Sequence, residues 1–136
     1  MYTKIVVALA GLLYILVLPY QEISVTHLFS PVWSGHARMH EVWQLGTHAS
    51  FAVFALWLAY VRNQLFLAAT VSQIVTFPFV FAYFIRGSYG GDMFYSDGSE
   101  LLIWGVNPAF GIMVVLSAAL AVAMYLSRGD VSNKAR

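Results

Sequence analysis

The sequence predicts an all-α integral membrane protein, a bundle of four transmembrane helices with both termini cytoplasmic. Three observations predict it. First, 60% of the residues are hydrophobic and 10% are charged, an apolar excess beyond that of a soluble domain. Second, the apolar residues fall in four runs, Ile5 to Tyr20, Trp43 to Val61, Leu65 to Ile85 and Pro108 to Leu126. Each is near the roughly 17 to 25 residues that a tilted helix needs to cross a bilayer. Third, Lys4, Arg62, Arg128, Lys134 and Arg136 fall on one side of such a bundle, and Arg38 and Arg86 on the other. The side richer in Lys and Arg is the cytoplasmic one.

One domain is expected, with helices over about residues 4–20, 36–62, 65–85 and 108–127 and a long outer loop over 86–107. Lys4 before an apolar core imitates a signal peptide, but no small-residue cleavage pattern follows and the core runs on to Pro19, so a retained first helix is expected. Pro19 should end or kink it. Gln21 to Trp33 reads as a polar and aromatic connector with Glu22 and His27 near the interface and Trp33 as an interfacial anchor. Ser34 suits the N-cap of helix two. The turn Arg62-Asn63-Gln64 is so short that helices two and three should be antiparallel neighbours. In helix three, Ser72, Gln73, Thr76 and Tyr83 share a stripe roughly 100° wide that should face protein, and Pro78 should kink the backbone. The loop carries Asp92, Asp97 and Glu100 without the spacing of an EF-hand, so it reads as a solvated turn. Asn107-Pro108 reads as the cap and first position of helix four, whose Ser117, Ala119, Ala121 and Ala123 suit a packing face.

Function concentrates in SGHARMHEVWQLGTHA, residues 34–49, which hold three of the four histidines with Arg38, Glu41 and Gln44. Ionisable groups beside a membrane-length apolar run are costly unless they pair or line a cavity, so they mark a functional site by default. With His36 at 0° on a helical wheel, His40, Gln44, His48 and Glu41 fall at about 40°, 80°, 120° and 140°, and Phe51 at about 60° continues that face. The expected site is an outward-facing polar pocket that turns aromatic towards the membrane centre. It suits a small amphipathic or isoprenoid-like molecule. In an isomerase- or cyclase-type acid–base reaction His40 and His48 would exchange protons, Glu41 would orient them and Arg38 would hold an anionic or carbonyl oxygen. Gln44, Phe51, Gln73, Thr76 and Tyr83 would bind the ligand. The bland use of the same residues is interhelical glue, worth about 0.6 kcal/mol per polar contact.

A metal site is the rival. His36 and His40 stand one turn apart and suit one cation, whereas His40 and His48 are separated by about 12 Å of helix. HARMHE is neither H-E-x-x-H nor its inverse. No cofactor is named by the sequence. The chain has no cysteine, which removes thiolate chemistry, and its dispersed basic residues set nucleic acid aside. A third reading is an accessory subunit of a larger membrane complex, suggested by the small size and the small-residue face of helix four. The expected partners are the lipid bilayer, an amphipathic small molecule and other membrane subunits. The expected location is the bacterial inner membrane.

At Trp33-Ser-Gly-His36-Ala-Arg38-Met-His40 the chain resembles small bacterial and fungal membrane proteins that carry a W-x-x-H-A-R-x-H tract. The resemblance implies four helices and singles out His36, Arg38 and His40. A looser likeness is to sterol-isomerase-type membrane bundles, with acid–base residues above an aromatic pocket. Their diagnostic residues are not matched, so that likeness is one of architecture.

Overall fold

A computed structural model describes residues 1–95 and 98–129; Asp97, Lys134 and Arg136 lie outside them. Among the described residues four helices, α1 Tyr2–Glu22, α2 Gly35–Tyr60, α3 Leu65–Ile85 and α4 Pro108–Ser127, are each long and apolar enough to cross a membrane. The 23–34 connection and the 86–107 loop lie at one end, here the loop end. The N-terminus and the α2–α3 turn lie at the other.

The helix ends follow from local chemistry. The Ser34 hydroxyl accepts from the Ala37 amide at 3.1 Å, and Asn107 Oδ1 accepts from the Ala109 and Phe110 amides at 3.0 and 3.4 Å with Pro108 in the first turn. Both caps satisfy amides that have no partner inside the helix. Asn63 takes the left-handed conformation (φ 50°), and the Gln64 amide bonds Leu58 O at 2.9 Å, which reverses the chain between α2 and α3.

Of the two outcomes expected at Pro19, an end or a kink, α1 does not end there. It runs through the proline to Glu22 because a π turn at Leu13–Val17 widens the helix just before it, with the Leu18 amide reaching Leu13 O. Proline clashes with the carbonyl four residues earlier, and the wider register relieves that clash. α3 likewise runs unbroken through Pro78.

α3 packs most extensively on α4 and next on α2, while α1 touches all three. The core is built mainly from small and branched residues, including Val7, Ala10, Ala55, Ala59, Ala68, Ala69, Leu120 and Ala123. Small side chains let the backbones approach closely. Gly11 is the tightest case, since a Cβ there would lie 2.9 Å from Leu56 Cδ1. Large apolar side chains such as Leu9, Leu16, Val53, Phe77 and Val115 are exposed around the bundle, the pattern of helices that face lipid.

Cations sit over aromatic rings at both ends. Lys4 stands over Tyr60, Arg62 over Trp57 and Arg128 over Tyr125 at the terminal end, and Arg86 over Tyr83 at the loop end. Such pairs suit the membrane–water boundary, where a ring is half wetted and a cation reaches water. The loop end is capped by local turns. The Phe94 amide bonds Asp92 Oδ1, Glu100 accepts from Asn107 Nδ2, and a tight reversal pairs Ile103 with Val106 and leaves Trp104 99% exposed at its tip.

Candidate functional site

The first four turns of α2 carry the polar tract, and the structure divides it among three surroundings. One face is open. His36 and His40 bring their Nε2 atoms to 3.0 Å, with ring centroids 4.5 Å apart, and His40 lies 5.8 Å from the Trp43 ring. Next to them a groove of about 530 Å³ runs along α2, lined by Val42, Trp43, Gly46, Thr47, Ser50, Phe51 and Phe54. Two residues make the groove. Gly46 has no side chain and nothing within 4 Å of where one would stand, and Ser50 turns its hydroxyl back onto Gly46 O at 2.8 Å. Its walls are therefore mainly aromatic and methyl surface, with the imidazole pair beside one end. Gln44 is exposed, with no hydrogen-bond partner among the described residues.

The second setting is where α2 meets the end of α1 and the 23–34 connection. Glu22 Oε2 stands 3.8 Å from His27 Nε2, and His27 Nδ1 faces the hydroxyls of Thr26 and Ser24 at 2.9 and 3.3 Å. Glu41 lies within electrostatic reach of both Glu22 and His27. The Tyr95 ring meets His27 edge-on at 5.9 Å, so the 86–107 loop reaches this cluster. Arg38 points here as well, donating from Nη2 to Ser30 O at 2.9 Å. Its Nε and the Ser30 hydroxyl are buried with no hydrogen-bond partner among the described residues.

The third setting is the bundle interior. His48 meets the edge of the Tyr14 ring at 5.4 Å. The Tyr14 hydroxyl donates to Thr76 Oγ1 at 2.9 Å with Met113 Sδ 3.6 Å away, and Thr76 donates onward to Ser72 O at 2.9 Å. Tyr14 belongs to the π turn of α1, so the local widening sets where this buried hydroxyl points.

The expected single pocket is thus separated by geometry. His40 pairs with His36, Glu41 joins Glu22 and His27, and Arg38 holds a loop carbonyl. His48 and Thr76 meet through Tyr14. Phe51 lines the open groove. Gln73 turns to α4, donating to Ser117 Oγ at 2.8 Å, and Tyr83 stacks on Phe110 at 3.7 Å under Arg86. The wheel placed His40, Gln44, His48 and Glu41 on one arc correctly as angles, but α1 and the connector occupy part of that arc and leave the rest exposed. Tyr14, Trp43 and Ser50 were not singled out from sequence. A tyrosine amid the apolar first run, five residues before a proline, was the one available signal for Tyr14.

Among the described residues no group of three or more His, Asp or Glu is arranged to hold a metal. Comparison of the chain with protein-family models, curated proteins and solved structures gives no match.

Proposed function

We propose that this chain is a membrane protein that binds a small amphipathic, isoprenoid-like molecule in the groove along α2, with the polar end of the ligand at His36 and His40. The observation that carries the reading is the continuity of the two parts. The imidazole pair adjoins Trp43, and Trp43 begins a groove walled by Phe51 and Phe54. The groove is a shallow, open face of α2, largely apolar with the imidazole pair at one end, a surface that an amphipath lying in the bilayer would cover. A ligand entering sideways from the bilayer would keep its chain in hydrocarbon throughout.

The cation distribution supports both termini and the α2–α3 turn facing the cytoplasm, which puts the imidazole pair on the outer side of what we take to be a bacterial inner membrane. Chemical conversion would rest on His36 and His40. Each neutral imidazole carries one donor and one acceptor nitrogen, so the pair can pass a proton across 3.0 Å to or from a bound oxygen. His48 and Glu41 face other surroundings and would act on the position of α2 alone.

Mass spectrometry of lipids retained by detergent-purified protein tests the reading. Wild type should retain an amphipath that Gly46→Leu loses, because a Cβ at Gly46 stands in open space and a leucine side chain would extend into the groove. Equal lipid profiles in both proteins would refute it. The same face, with Gly46 and Ser50 one turn apart, also suits close approach of a helix from another subunit. A stoichiometric membrane partner retained in mild detergent and lost in Gly46→Leu would favour that second reading.

A further inference from the structure

We propose that His36 and His40 form a binding site for a divalent late first-row transition ion, with Cu²⁺ the best fit. The proposal does not rest on the groove, but it uses the same two Nε2 atoms to which the proposed function gives proton transfer, so a bound ion would take the place of that relay. The two Nε2 atoms converge at 3.0 Å on one exposed side of α2. Metal–imidazole bonds are about 2.0 to 2.1 Å, so one ion bound to both nitrogens at this separation subtends an angle of about 94°. That is the angle between adjacent ligands in a tetragonal complex, the geometry of Cu²⁺ and Ni²⁺.

The surroundings admit a cation. Arg38, the nearest fixed positive charge on α2, is committed to Ser30 O on another side of the helix. The positive end of the α2 dipole opposes a cation near His36, but the site is exposed, where that effect is screened and confined to the first turn. Remaining coordination positions are open to water or to a lipid headgroup oxygen. Imidazole is a good ligand for late first-row ions, and Cu²⁺ heads their affinity order.

The test is titration of the full-length, untagged protein in detergent with Cu²⁺, followed by electron paramagnetic resonance. Wild type should bind one equivalent with two imidazole nitrogens in the spectrum, and tryptophan fluorescence should fall as the site fills by a share that Trp43→Phe removes, since His40 lies 5.8 Å from that ring. His36→Ala and His40→Ala should each weaken binding by at least about tenfold, the lower end of what losing even an outer-shell partner costs. Both side chains are exposed, so both variants should retain their helical circular dichroism. His27→Ala and His48→Ala should bind as wild type. Unchanged affinity in His36→Ala and His40→Ala, or a spectrum with fewer than two imidazoles, would overturn the proposal.

Discussion

The Tyr14 hydroxyl donates to Thr76 Oγ1 at 2.9 Å, joining the π turn of α1 to the middle of α3, while the same ring meets His48 of α2 edge-on. One side chain, 1% exposed, therefore ties three helices at one depth. Tyr14→Phe removes the hydrogen bond and keeps the ring. It should cost about 0.5 to 1.5 kcal/mol, because Thr76 keeps its bond to Ser72 O. Tyr14→Ala also opens a cavity and should cost about 3 to 5 kcal/mol. Denaturant unfolding in detergent measures both, and equal costs would show that the ring packs no better than a void.

Two helix glycines should respond in opposite directions. At Gly11 a side chain meets Leu56, so Gly11→Val should separate α1 from α2 and destabilise by about 1 to 3 kcal/mol. At Gly46 nothing stands within 4 Å, so Gly46→Ala should be neutral or stabilising by up to about 1 kcal/mol through helix propensity. Thermal unfolding of the two variants side by side checks the contrast.

The caps give a local test. Asn107→Ala removes the acceptor for the Ala109 and Phe110 amides and should cost about 0.5 to 2 kcal/mol. Hydrogen exchange should accelerate at those amides first. Protection unchanged at both would mean that Pro108 and packing hold the end of α4 without the cap.

Arg38 should matter through the 23–34 connection. Its guanidinium holds Ser30 O, and the Trp33 amide bonds that same carbonyl. Arg38→Ala should therefore speed exchange across residues 27–33 while α3 and α4 stay protected. Protection retained across the connection would assign Arg38 to another role.

The four helices and both caps were legible because they depend on local features, apolar runs of membrane length and a capping side chain before a helix. The surroundings of the candidate residues were legible in part. The wheel identified the faces of His36, His40 and Phe51, since those angles depend on α2 alone. The partners of Glu41 and His48 were not legible, because they come from Glu22, His27 and Tyr14, elements distant in sequence whose placement depends on packing. Which of the two outcomes Pro19 takes, an end or a kink, was hidden for a related reason. A π turn has no strong residue signature, and it redirects Tyr14 by changing register rather than composition.

The most direct measurement is photocrosslinking of the wild-type protein in lipid bilayers with a diazirine-bearing isoprenoid alcohol, with adducts mapped by mass spectrometry. Adducts concentrated on Val42, Trp43, Thr47, Phe51 and Phe54, and strongly reduced in Gly46→Leu, are the predicted result. Adducts spread evenly over the lipid-facing residues of all four helices, unchanged by Gly46→Leu, would contradict binding in the α2 groove.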